Sequence, residues 1–430
     1  MSRSPLASAL VRGGVVVATA TVVCRLLQAG AWFALARRLA PSDFGAFAVA
    51  AIVVNALALL PGMGLSTALL ARRDDPRPIA PSALTAALLC GGALAAVVAV
   101  AGQLVSTSRG GEVASVVAVL CLSLLFQGAG SVASALLDRE LRFAARAAAD
   151  VAGGVAFLVV ALCAAWRGLG AISLALGLVS SSAVTAISAC AAARLLPTRR
   201  PDWQALKGAA RVGAVVLATS LLQWLFVSSD VWIVERRFGR DSVGCYAVAF
   251  QLAMVPAATL GLFSSRLALP ALARARTSMA TAASEAGFLR AARAALLLAA
   301  VPTALLALLA GPIVQALYGD RFAAASELLP PLALYSFSRV AGGLAGPALL
   351  VTGRTRAALW LVVAQDVLAI PTAWLLSAGY GARGTAVVFA LANGAAGAAA
   401  LLLGARALRA ERRDLAPAPA LAVTGGGGAP

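Results

Sequence analysis

With 430 residues, 61% of them hydrophobic and 12% charged, and a mean hydropathy of +0.91, the chain carries about half the ~25% charged residues usual in a soluble domain. That excludes a solvated globular fold and points to helices in a membrane, because the apolar runs are about 20 residues long and lack the ~10-residue alternation of a transmembrane barrel. The net charge of +18 is spread over short loops, with no basic patch and no interleaved aromatics, which excludes a nucleic-acid partner.

Residues 1–12 place Arg3 and Arg12 ahead of an apolar run. That run outlasts a signal-peptide core, so it predicts an uncleaved first span. The stretch from Cys24 to Arg73 sets the pattern for the rest. It reads as an apolar helix with Arg25 near its middle, a turn at Pro41-Ser42-Asp43, and a second helix broken at Pro61-Gly62 and Gly64. An arginine at mid-span is a functional signal, because its burial in hydrocarbon is costly. Further apolar runs predict twelve spans in all, near 13–36, 44–68, 82–104, 113–137, 147–166, 169–193, 211–233, 243–270, 288–316, 328–351, 356–378 and 384–405. Pro256, Pro302, Pro312, Pro347 and Pro371 fall inside spans and predict kinks, which helices in lipid tolerate.

The loops predict orientation. Basic residues number 23 on the face holding both termini and nine on the other, which places the termini in the cytoplasm of a multi-pass cell (inner) membrane protein. The outward pairs Arg37-Arg38 and Arg236-Arg237 run against this rule. Their neighbours Asp43, Glu235 and Asp241 predict a salt-bridged corner. The longest link, after Leu195, divides the chain. The expected organisation is a six-helix bundle over 1–195, a cytoplasmic linker over 196–210, a second six-helix bundle over 211–405, and a basic then disordered tail over 406–430.

The two halves repeat. ARRLAPSDFGAFAVA at 36–50 aligns without a gap to ERRFGRDSVGCYAVA at 235–249, pairing Arg37 with Arg236, Gly45 with Gly244, and Phe47 with Tyr246. An even number of spans between copies predicts parallel repeats about an axis along the membrane normal. The fold expected is therefore all-α and polytopic, with two six-helix bundles related by a pseudo-two-fold axis.

Three arginines lie within spans: Arg25, Arg266 and Arg339. Each costs about 2.5–3.5 kcal/mol at a helix centre on insertion scales, so each should face a wet or protein-lined cavity. Guanidinium matches phosphate oxygens bidentately, which suits an anionic headgroup. The competing reading is an ion pair that pins helices, such as Arg339 with Asp366. Gln28 shares a helix face with Arg25, and Asn55, Gln127 and Gln251 add polar groups at depth, as do Gln223, Gln365 and Asn393. Asp366 lies mid-span, while Asp230 and Asp150 lie nearer helix ends.

The chain has no histidine, and its six cysteines form no CxxC pair, which argues against metal sites, disulfides and imidazole chemistry. It has no GxxxxGK[ST] loop and no nucleophile–base constellation, so neither nucleotide hydrolysis nor other catalysis is expected, and no cofactor.

LARRLAPSDFGAFAVA, followed by PGMGLSTALLARR, resembles the first hairpin of polysaccharide flippases of the O-antigen and capsule type. LLQWLFVSSDVWIVERRFGRDSVGCYAVAFQLAMVP resembles their seventh and eighth helices, and LDRELRFAARAAAD their link between helices four and five. These belong to the multidrug/oligosaccharidyl-lipid/polysaccharide (MOP) exporter superfamily. The resemblance implies two bundles around a cavity that opens to alternate faces, and outward flipping of undecaprenyl-diphosphate-linked saccharide. By helix and depth Arg25 and Arg266 resemble the cavity arginines that related lipid II flippases use for the diphosphate; with Arg339 they are expected to hold it here, while Gln28, Asn55, Gln127 and Gln251 are expected to line the sugar path. Asp366 and Asp230 are the coupling candidates. A lipid-linked oligosaccharide, membrane lipid, a polysaccharide polymerase and glycosyltransferases are the implied partners. Two rivals stand beside this reading: a drug/cation antiporter, whose cavity should be acidic, and a non-transporting scaffold of polysaccharide assembly, which needs no buried arginine.

Overall fold

The computed structural model describes the backbone of residues 19–20, 23–24, 26–71, 75–106, 111–198, 200–277, 281–351 and 355–415; within these, side chains at 62–65, 67–68, 70–71, 102–106, 205, 207–216, 218–219, 257–277, 281–289, 291, 344–351, 355–356, 358 and 408–415 lie outside the description. Every regular element among the described residues is helical. α1 (Leu26–Ala36) is followed by α2 (Pro41–Ala71), α3 (Ala80–Ser106), α4 (Gly111–Leu120), α5 (Leu122–Arg139), α6 (Phe143–Trp166) and α7 (Ala171–Ala193). Then come α8 (Trp203–Thr277), α9 (Thr281–Leu308), α10 (Ala310–Tyr318), α11 (Ala325–Val351) and α12 (Thr355–Leu415).

Two of these helices are each broken into two by a glycine. Gly239 inside α8 has φ 78° and Gly381 inside α12 has φ 63°, a conformation that side chains with a Cβ rarely adopt. α9 and α10 meet at 72°. Pro312 explains that bend, because it has no N–H to offer the carbonyl of Leu308 four residues back. Among the described residues six helical segments are long and apolar enough to cross a membrane, and the α9–α10 pair makes up to seven. The helix break expected at Pro61-Gly62 is absent. α2 runs through Pro61 to Ala71, and the Pro61 ring packs against Gly128 of α5, where even a methyl would lie 2.9 Å from it. A neighbouring helix thus holds the proline inside a continuous helix.

The outer surface is apolar in the manner of a lipid-facing one. Val97 and Val100 on α3, Leu297, Val301 and Leu308 on α9, and Leu368 and Leu375 on α12 are exposed, a surface that water would penalise. Inside, α6 packs on α7, α5 on α3 and α7, and α11 on α12 and α8.

The centre of the molecule is where α2 meets α8. A Cβ on Gly45 would sit 2.1 Å from the carbonyl oxygen of Arg240, and a Cβ on Gly244 would sit 1.8 Å from that of Pro41. Gly45 and Gly244 are equivalent in the repeat, and so are Pro41 and Arg240. The contact is therefore reciprocal, with each copy's glycine receiving the other's carbonyl, as in a two-fold interface. Only glycine permits backbones this close. Phe44, Val243, Tyr246, Phe322 and Leu329 form the apolar core around this seam.

The four outward arginines obey the same correspondence. Arg37 lies over Phe33 at 4.3 Å and Arg236 over Trp232 at 5.7 Å, each four residues back on its own helix. Arg38 lies over Trp166 at 5.8 Å and Arg237 over Trp374 at 4.3 Å, each reaching another helix. This corrects the expected salt-bridged corner. Asp43 instead accepts from the Ala40 backbone N–H at 2.8 Å, at the start of α2, and the ion pair present in this region is Arg240 with Glu112 at 3.1 Å. Aromatic faces attract guanidinium at the depth where tryptophan collects in membranes, so the pairs need no acids.

Candidate functional site

Of the three mid-span arginines, Arg25 and the side chain of Arg266 lie outside the described residues. Arg339 is described: it is exposed on α11, and its Nη1 donates to Tyr335 Oη at 3.5 Å. Among the described residues it forms no ion pair, so the expected alternative of an Arg339–Asp366 bridge is not what the structure contains.

The structure brings Gln28 and Gln251 together. They line one small gap with Met254 and Tyr318, where α1 faces the latter part of α8. Gln127 lies apart from them on α5, its amide Nε2 donating to Ser123 Oγ at 2.9 Å. It borders a separate cavity of about 480 Å³ between α2, α5, α6 and α7. Asn55 is exposed on α2 and lines neither. The expected sugar-path residues thus divide between two cavities, with Asn55 in neither.

The acids divide as well. Asp230 is buried on α8, where Oδ2 accepts from Tyr246 Oη at 2.7 Å and Oδ1 from the Val231 N–H at 2.6 Å. Tyr335 packs nearby, with its ring 5.8 Å from Phe250 and 6.4 Å from Phe226. Asp366 is buried on α12, and among the described residues neither carboxylate oxygen has a hydrogen-bond partner. A buried acid without a partner is costly in its charged form. Beside it on the same helix, Gln365 donates to Asn393 Oδ1 at 3.2 Å, and Asn393 donates to Ser338 Oγ at 2.6 Å, joining the two halves of α12 to α11.

Tyr246, Tyr335 and Ser338 belong to these networks, and sequence reasoning did not single them out. Tyr246 carried a signal, as the repeat partner of Phe47 with an added hydroxyl. Tyr335 and Ser338 carried none, because one tyrosine or serine in an apolar helix is ordinary.

The helical, apolar-surfaced fold with buried polar groups defines a class: polytopic all-α membrane proteins. A multidrug-resistance MATE family transporter in its inward-facing conformation superposes with a TM-score of 0.71 at 20% identity, covering 94% of this chain and 100% of that one. The lipid II flippase MurJ in an inward closed conformation superposes with a TM-score of 0.74 at 14% identity, covering 93% and 90%. Residues 34–327 match the family described as polysaccharide biosynthesis protein, and the chain belongs to that family. Two curated relatives agree. The succinoglycan biosynthesis transport protein ExoT of Rhizobium meliloti (strain 1021) is 28% identical over 224 residues, 52% of this chain and 45% of that protein. The amylovoran biosynthesis protein AmsL of Erwinia amylovora is 28% identical over 182 residues, 42% and 46% respectively. The chain spans about half the length of these curated relatives.

Proposed function

We propose that this protein flips a lipid-linked oligosaccharide, an undecaprenyl-diphosphate saccharide, from the cytoplasmic to the outer leaflet of the inner membrane by alternating access. Arg339, Arg25 and Arg266 hold the diphosphate. Gln28 and Gln251 contact the saccharide where they meet, with Gln127 and Asn55 further along its path. Asp366 and Asp230 couple transport to an ion or to the membrane potential. The two halves, 1–195 and 211–405, act as the two rocking bundles of a twelve-span protein whose termini lie in the cytoplasm, and the reciprocal Gly45–Gly244 seam supports that division. Polymerase and glycosyltransferases act before and after it.

The observation that carries this reading is Arg339. It is exposed on α11 with a tyrosine hydroxyl and no carboxylate beside it among the described residues, which leaves its charge for an anionic ligand. Membership of the polysaccharide biosynthesis family supports that substrate class. The test is complementation of a flippase-deleted host. Arg339→Ala and Arg25→Ala are expected to abolish surface glycan at normal membrane levels of protein, with partial recovery in Arg25→Lys. Normal glycan from both alanine variants would overturn the diphosphate role.

A second reading, a drug/cation antiporter, is favoured by one feature, the unpartnered Asp366. It predicts that Asp366→Asn abolishes drug resistance conferred by the protein. The flippase reading predicts no resistance to abolish.

A further inference from the structure

The cavity bordered by Gln127 has chemistry of its own. At about 480 Å³ it falls within the ~300–1,000 Å³ of ligand pockets. One wall is a stripe of α5 from Phe126 to Asp138, about 18 Å long at 1.5 Å per residue. Gln127, Ser131 and Ser134 on this stripe face Ser181, Ser182 and Thr185 on α7. Among the described residues Ser134, Ser181, Ser182 and Thr185 make no side-chain hydrogen bond. Ser131 donates to the Gly128 carbonyl at 2.8 Å, which leaves its oxygen free to accept. Free hydroxyl donors on two facing helices at membrane depth call for a ligand rich in hydroxyls. Phe126 adds an apolar face of the kind a sugar ring lies on.

The charges at the cavity exclude the other ligand classes. Arg146 is paired with Asp138 and lies 3.8 Å from Asp150, so the cavity has no surplus cation to trap a diphosphate. Nor does it present an unpaired carboxylate cluster for a cationic drug, and its many hydroxyls are a poor lining for a lipid tail.

Resting on the flippase reading above, we propose that this cavity is a saccharide subsite, separate from the arginines, that binds the neutral sugars of the substrate through Ser131, Ser134, Ser181, Ser182, Thr185 and Gln127. The diphosphate and the saccharide are then held by different helices, and the length of the α5 stripe sets how many sugar rings are accommodated.

The test uses Ser182→Cys and Ser131→Cys, each in a variant whose six native cysteines are replaced and that still restores surface glycan to a flippase-deleted host. Labelling by a membrane-permeant maleimide is compared between a host making the full lipid-linked oligosaccharide and one whose pathway stops at lipid diphosphate plus a single sugar. Labelling is expected to be about tenfold slower with the full saccharide, as ~90% occupancy implies. Equal rates in the two hosts overturn the proposal. Slow labelling in both, compared with a host lacking the first sugar-phosphate transfer, assigns the cavity to the diphosphate and equally overturns it. Ser182→Trp, made with the native cysteines in place, should fill the cavity and abolish export of the full saccharide while the single-sugar carrier still crosses. Export of both at normal protein levels counts against the subsite. Failure of the flippase reading shows separately, as unchanged surface glycan when the whole protein is deleted.

Discussion

The corner at residues 36–50 and the corner at 235–249 share a backbone course and a reciprocal contact, yet their interiors differ. Behind the first corner, Ala31 and Phe47 are both buried in one apolar cluster. At the matching positions behind the second, Asp230 and Tyr246 are equally buried and joined by a 2.7 Å hydrogen bond. The first copy demonstrates that this corner closes without an acid. Burying a carboxylate costs free energy that packing does not require here, so Asp230 is an addition of the second half and the better place to look for coupling. The halves differ beyond the corners too. The first has an open, hydroxyl-lined cavity, whereas the second packs Phe226, Tyr335 and Phe389 into an aromatic cluster.

The most damaging way to break the comparison is at the seam the copies share. Gly244→Ala and Gly45→Ala each drive a methyl into a backbone carbonyl, and overpacking of this kind costs about 1–3 kcal/mol or more. Both variants are expected to lose most of their folded yield in detergent, by size-exclusion profile and thermal unfolding, and to do so to a similar degree. A tolerated Gly244→Ala would deny the close approach.

Next in size is Tyr246→Phe, which leaves the Asp230 carboxylate buried without its hydroxyl donor, at about 1–3 kcal/mol. Asp230→Ala combined with Tyr246→Phe reproduces the chemistry of the first corner and should recover most of that loss in melting temperature, a coupling that a double-mutant cycle reads directly. The same double variant sharpens the contrast between folding and transport, because it should fold and fail to export glycan. A double variant less stable than Tyr246→Phe would mean that the corners are not interchangeable.

The smallest effects concern the outward arginines. Arg237→Ala removes a guanidinium 4.3 Å from Trp374, whereas Arg38→Ala removes one 5.8 Å from Trp166. Cation–π contacts contribute about 0.5–1 kcal/mol at exposed sites, so Arg237→Ala should lower the melting temperature more than Arg38→Ala does, and neither should abolish glycan export.

Much of this was readable in the residues. The Gly45–Gly244 match, seen as a repeat in the linear chain, is the contact at the centre of the molecule. Gln28 and Gln251 were each marked as polar at depth, and they do meet. The outward arginines were assigned to acids because Asp43, Glu235 and Asp241 lie beside them in sequence. Trp166 and Trp374 arrive from other helices, and no local pattern announces that. The cavity serines escaped notice for a related reason, since serine is common wherever membrane helices approach closely, and Ser131 faces Ser182 only once α5 and α7 are packed.

By itself the sequence determined that the chain is a bundle of membrane helices with a repeated corner, because hydropathy and repetition are properties that each segment carries alone. Tertiary structure decided which polar groups share a space: that Arg339 meets a tyrosine, that Asp366 has no hydrogen-bond partner among the described residues, and that seven hydroxyl and amide residues line one cavity. Those outcomes depend on how each helix is rotated about its axis against its neighbours. In an Ala- and Leu-rich chain, apolar on all sides, periodicity leaves that rotation open.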